Sequence, residues 1–158
     1  MQEKGINYWE TCSPVVQWMS VRIMLTLAAI ENLHTKSIDF VIAYPQADLD
    51  VDICMELPQG FNVGPESGIY VLKLQKNFYV LKQARHNWFE KLSCAFGNLS
   101  INPRKVDTCM FIGYDIIVLV YVENCLIFSQ EEDKINQLID KINNREKLDL
   151  TYEGDVDK

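Results

Sequence analysis

Three short apolar runs follow one another between residues 109 and 128, with turn residues at both joints. Residues 109–112 and 116–122 are joined by Gly113-Tyr114-Asp115, and residues 125–128 follow directly after Glu123-Asn124. Their β-branched content and short length fit strands better than helices. Consecutive short strands with tight joints pair as hairpins, so this stretch commits the chain to a sheet that other elements must cover.

The remaining pattern supplies those elements. Pro14 suits a first helical turn, Ser13 is available as a cap, and Val15, Val16, Met19, Ile23, Leu27 and Ile30 recur at helical spacing, which predicts a helix over 14–32. Residues 34–42 alternate and carry β-branched side chains, predicting a strand that ends near the acid Asp39. Residues 52–56 and 69–74 predict a hairpin around a turn-rich stretch with Pro58, Gly60, Gly64, Pro65 and Gly68. Trp88, Leu92 and Ala95 share one face of a second helix over 81–99, with Lys82, Arg85 and Lys91 on its remaining surface and Pro103 marking a boundary beyond it. Ile135, Leu138, Ile139 and Ile142 give an amphipathic helix over 131–145, and residues 148–152 a last strand. This order is that of an α+β sandwich, and 158 residues suit one domain.

Charge separates along the chain. The net charge is −7, which argues against a nucleic-acid partner taken as a whole. Yet residues 70–105 carry Lys73, Lys76, Lys82, Arg85, Lys91, Arg104 and Lys105 against Glu90 alone, while residues 31–56 carry Glu31, Asp39, Asp48, Asp50, Asp52 and Glu56 against Lys36. Two solvated faces of opposite sign, or a basic phosphate-binding stretch, would each give this pattern. The longest apolar run, 116–122, falls short of the roughly 20 residues a membrane span needs, and no signal pattern opens the chain. Cys12, Cys54, Cys94, Cys109 and Cys125 form no C-x-x-C pair, and the expectation is reduced, mostly buried thiols in an intracellular protein of cytoplasm or nucleus.

Several blocks, taken together and in order, resemble the copia-type retrotransposon reverse transcriptases. Gly5-Ile-Asn-Tyr-Trp-Glu-Thr-Cys-Ser-Pro-Val-Val is similar to the family's entry motif, and Ile38-Asp-Phe-Val-Ile-Ala-Tyr to the block of its first catalytic aspartate. Met55-Glu-Leu-Pro-Gln-Gly-Phe, Leu81-Lys-Gln-Ala-Arg-His-Asn-Trp-Phe, Lys105-Val-Asp-Thr-Cys-Met-Phe-Ile, Tyr121-Val-Glu-Asn and Leu148-Asp-Leu-Thr-Tyr-Glu-Gly-Asp resemble later blocks. No single block is specific; seven in order are. Composition and periodicity alone would equally allow a generic ferredoxin-like sandwich with protein or small-molecule contacts.

The resemblance implies fingers and palm of a right-hand polymerase, an antiparallel sheet packed against helices, spanning 1–158 and truncated at both ends relative to the family. It implies RNA-directed DNA polymerase chemistry, in which clustered acids hold two Mg²⁺ or Mn²⁺ ions. Asp39, Glu123 and Asn124 are the implied catalytic and metal-binding set. Phe40, Tyr44 and Gln83 are the implied nucleotide contacts, with Tyr44 under the incoming sugar. Lys82, Arg85, Lys73 and Lys76 are the implied nucleic-acid contacts. Partners would be an RNA or DNA template-primer, a deoxynucleotide, and polyprotein regions such as integrase and ribonuclease H, with no membrane.

The sequence departs from the family where chemistry is most demanding. Tyr-Val-Asp-Asp is expected at 121–124, and Glu123-Asn124 stands there instead. A glutamate moves the charge by about 1 Å, enough to cost about a hundredfold in rate. An asparagine keeps an oxygen but loses the charge that a hard cation seeks. Asp39-Phe-Val-Ile-Ala-Tyr lacks the family's lysine, and Ala84-Arg85-His86 lacks its proline. The expectation is a domain with impaired or lost catalysis, or a non-catalytic nucleic-acid-binding remnant.

Overall fold

A computed structural model describes residues 2–61 and 70–155. In chain order the elements are helix α1 (Trp18–Glu31), strand β1 (His34–Phe40), the short helix α2 (Ala43–Gln46), strands β2 (Cys54–Glu56) and β3 (Val71–Lys73), helix α3 (Ala84–Asn98), strands β4 (Asn102–Pro103), β5 (Met110–Ile112), β6 (Ile117–Tyr121) and β7 (Asn124–Ser129), helix α4 (Glu132–Asn144), and strand β8 (Leu150–Asp155). Six strands form one sheet in the order β4-β5-β6-β7-β1-β8, and every neighbouring pair is antiparallel. The separate β2–β3 ribbon is the hairpin expected from 52–74, although part of its turn-rich connection lies outside the described residues. The α+β architecture is therefore as the sequence implies.

Amphipathic helices cover the sheet. Ala84, Trp88, Leu92, Ala95 and Phe96 form the buried face of α3, and Ile135, Leu138 and Ile142 that of α4. These join Ile38, Phe40, Phe111, Val118, Ile127 and Phe128 of the strands in one core, whose burial from water is the main drive to this arrangement. Lys36 is buried on β1 and bonds Glu132 Oε1 at 2.6 Å and Asn136 Oδ1 at 2.9 Å on α4, so even its charge ties helix to sheet. Pro103 sits on β4, an edge strand, where its missing N–H breaks no ladder.

Three expectations need correction. First, α1 begins at Trp18, not near residue 14. Gln17 is the cap residue, and the cap is supplied from elsewhere: Asp107 Oδ2 accepts the Gln17 N–H at 2.9 Å and the Ser20 hydroxyl at 2.6 Å. Second, the apolar positions whose spacing marks this helix face outward. Met19, Ile23, Leu27 and Ile30 are exposed, and Ser20, Met24 and Ala28 form the buried side. The helix carries only Arg22 and Glu31 as charges, so nearly every face is apolar and spacing alone does not say which one is buried. Third, the thiols are not mostly buried: all five are free, Cys109 and Cys125 are inside, and Cys12, Cys54 and Cys94 are exposed.

Candidate active site

Sheet register creates the site. Asp39 stands one residue from the end of β1, directly opposite Asn124, the first residue of β7. The Asn124 side-chain N–H donates to Asp39 Oδ1 at 2.8 Å. Tyr121 and Asn124 pair across the hairpin, so Val122 and Glu123 make a two-residue turn. Of the two only Val122 has a positive φ, 60°, where glycine is the usual occupant. A β-branched residue there costs about 1–3 kcal/mol and persists only when its surroundings hold it. Ile42, just after β1, is a second such residue at φ 49°.

The turn is held from three sides. Its Val122 carbonyl accepts the Trp88 indole N–H at 2.8 Å, and its Glu123 carbonyl accepts the Phe40 backbone N–H at 3.0 Å. Glu123 Oε2 accepts the Tyr79 hydroxyl at 3.2 Å, and the Tyr79 ring lies 4.5 Å from that of Tyr44, tilted by 38°. Tyr44 is thereby linked to the carboxylate turn through Tyr79, a residue that sequence reasoning did not single out.

The electrostatics are those of crowded carboxylates. Burial first, then the charges of Glu123 and Glu153, push the Asp39 carboxyl above its usual range. Burial, then Glu123, pushes the Tyr79 phenol up as well. Glu153 is also absent from the sequence-based set. It enters through a bulge: Ser37 pairs with Gly154 and Ile38 with Tyr152, which leaves Glu153 as the extra residue of β8. Its Oε2 accepts the Ser37 hydroxyl at 2.9 Å, on the same face of β1 as Asp39. Nothing in the local sequence marks that bulge except Gly154, at φ 127°.

The other candidate residues divide into those that reach this corner and those engaged elsewhere. Arg85 is the second residue of α3 and its charge bears on Tyr44; its buried Nε has no hydrogen-bond partner among the described residues. Phe40 is 1% exposed, and its ring meets Trp88 edge-on at 5.0 Å, so that ring belongs to the core. Gln83 is wholly buried and binds the N-terminal segment: its Nε2 donates to the Asn7 carbonyl at 2.9 Å, and its Oε1 accepts from Gln2 Nε2 at 2.9 Å. Lys82 Nζ donates to the Tyr8 hydroxyl at 3.2 Å and lies 4.8 Å from that ring's centre. Lys73 pairs with Asp52 at 2.6 Å and Lys76 pairs with Asp48. The basic and acidic stretches of the sequence thus fold against each other, and the Lys76 ammonium holds the Asp48 carboxyl below its usual range.

An antiparallel sheet backed by helices, with acids gathered at two adjoining strand ends, is consistent with a polymerase-like domain. The chain belongs to the copia-type reverse transcriptases: the family model described as reverse transcriptase (RNA-dependent DNA polymerase) matches residues 1–158. It is 34% identical over 142 residues to the retrovirus-related Pol polyprotein from transposon TNT 1-94 of Nicotiana tabacum, covering 87% of this chain and 11% of that protein. It is 32% identical over 148 residues to the retrovirus-related Pol polyprotein from transposon RE1 of Arabidopsis thaliana, covering 91% of this chain and 10% of that one. The transposon Ty1-BL Gag-Pol polyprotein of Saccharomyces cerevisiae is 22% identical over 147 residues, covering 92% of this chain and 8% of its own length. The chain spans about a tenth of the length of these relatives. No solved structure matches it.

Proposed function

We propose that this chain is the fingers-and-palm part of an RNA-directed DNA polymerase whose nucleotidyl-transfer site is weakened. The observation that carries the reading is the register that sets Asp39 opposite Asn124, with Glu123 one residue before it. The donor chemistry fits a hard divalent cation only in part. Among the described residues no three His, Cys, Asp or Glu side chains are arranged to hold a metal ion. Two carboxylates and an amide oxygen remain, all of the oxygen type that Mg²⁺ and Mn²⁺ prefer.

Asp39 and Glu123 would hold the cation, with Asn124 Oδ1 as a neutral third donor. When bound it would neutralise charge on the primer hydroxyl and the leaving pyrophosphate. The chain's own groups would orient the substrates. Tyr44, braced by Tyr79, would stand under the sugar, and Arg85 would face the phosphates. Template-primer would cross the same face, and integrase and ribonuclease H regions of a polyprotein would be its natural companions.

One observation favours a second reading, a nucleic-acid-binding remnant without catalysis. The Asn124 amide already satisfies an Asp39 oxygen, so the site can rest without a cation. Primer extension on an RNA template with Mn²⁺ separates the two. Incorporation that rises on restoring Glu123→Asp with Asn124→Asp and disappears on Asp39→Ala supports the polymerase reading. Salt-sensitive primer-template binding with no incorporation by either form supports the remnant.

A further inference from the structure

Trp88 joins the two strand ends of this site. It is 1% exposed on the inner face of α3, its ring packs on Phe40, and its indole N–H reaches the Val122 carbonyl. Phe40 directly follows Asp39, and Val122 directly precedes Glu123. One side chain on one helix therefore meets the side chain of one neighbour of the carboxylates, the Phe40 ring, and the backbone carbonyl of the other, Val122.

The hydrogen bond falls on the residue that needs it most. Val122 is β-branched at a positive φ, a conformation it would leave if nothing held it. Returning it to negative φ would turn its carbonyl away from Trp88. In a two-residue turn the change would pass straight to Glu123 and to Asn124, the first residue of β7.

We propose that Trp88 is the positioning residue of the carboxylate turn: its indole N–H keeps Val122 left-handed and so fixes where Glu123 and Asn124 stand relative to Asp39. The catalytic consequence rests on reading those three residues as a cation site. A role in core packing alone would need only the ring, whereas positioning needs the donor, and phenylalanine offers the first without the second.

The test is a double-mutant cycle on the whole chain with Trp88→Phe, Val122→Gly and both together, read by backbone amide NMR and by Mn²⁺ titration. Trp88→Phe is expected to shift the amides of residues 122 to 124 and to weaken Mn²⁺ binding about tenfold, the scale of outer-shell substitutions. Glycine accepts a positive φ without a tether, so Val122→Gly alone should bind Mn²⁺ like the parent, and the double variant should recover most of the lost affinity. An equal loss with and without Val122→Gly would overturn the proposal and mark Trp88 as core packing. If Trp88→Phe does not fold, the parent decides: a scalar coupling across the hydrogen bond between the Trp88 indole nitrogen and the Val122 carbonyl carbon supports it, and no such coupling, where backbone hydrogen bonds of the same sheet show theirs, overturns it. A parent that binds no Mn²⁺ refutes the cation site only. Trp88 positioning is then judged by the amide shifts at 122 to 124 and their reversal in the double variant.

Discussion

Asn124 donates its side-chain N–H to Asp39 Oδ1 at 2.8 Å across the β1–β7 pair. An aspartate at position 124 would instead set a carboxylate against a carboxylate. The amide thus satisfies an Asp39 oxygen without a cation, and on the proposed reading it also makes position 124 a poorer cation ligand.

Asn124→Asp is therefore expected to cost about 1–2 kcal/mol in the presence of a chelator, the worth of the lost hydrogen bond. Millimolar Mn²⁺ should recover that loss and raise the melting temperature of the variant more than that of the parent, because only ligand-bound native protein gains. Thermal melts with EDTA and with Mn²⁺ measure both. Equal Mn²⁺ responses would mean that position 124 does not face a cation.

Asp39 gives a pH signature of unusual sign. Its carboxyl is raised in the folded chain, so the native state binds the proton more tightly than the unfolded state does. Stability is then lost as pH rises from the ordinary 3.8 through the folded value, and the penalty persists at neutral pH. Asp39→Asn should melt higher than the parent at pH 7, with the gain fading once the pH falls below about 4, where both forms are uncharged. A lower melting temperature at pH 7 would show that the Asn124 hydrogen bond outweighs burial and repulsion.

Asp107 behaves in the opposite way. Burial pushes its carboxyl up, but hydrogen bonds from Ser20, Gln17 and Cys109 together outweigh burial and hold it below its usual range. Its stabilisation is complete above the unfolded value and disappears as pH falls through the depressed folded value. Asp107→Ala should cost about 3 kcal/mol at pH 7 in urea unfolding, since it removes the start of α1 and orphans buried donors. The cost should shrink in acid. A loss that is the same at pH 7 and at pH 2 would refute this account.

Lys73 and Lys76 are neutralised within the chain by Asp52 and Asp48. Asp48→Asn with Asp52→Asn should free both ammonium groups, strengthen binding to a single-stranded oligonucleotide, and steepen the salt dependence by roughly 0.7 per lysine engaged. Removing Arg85, which has no ion pair among the described residues, should weaken binding more than removing either lysine. Fluorescence anisotropy over a salt series measures both, and an unchanged slope would place Lys73 and Lys76 outside the interface.

Much of the candidate site could be proposed from the sequence because its parts are local. Asp39 stands next to the end of a strand that alternation reveals, and Glu123-Asn124 fills the joint between two β-branched runs. What escaped depends on contacts between distant residues. Tyr79 and Glu153 carry no local mark of function, and one reaches Glu123 from the loop before α3 while the other reaches Ser37 through a bulge. Gln83 and the paired lysines had readable types but unreadable partners, since a side chain's environment is set by whatever the fold brings beside it.

By itself the sequence determined the element types, the α+β order and the residues at the strand ends, because hydrophobic period, β-branching and turn residues act over a few neighbours. Only the tertiary structure decided which face of the nearly all-apolar α1 is buried, which acids neutralise which lysines, and that the Trp88 indole N–H meets the carbonyl of Val122, a residue at positive φ. Each of these is a choice among alternatives of similar local energy. Long-range packing and pairing of charges make such choices once the sheet has closed.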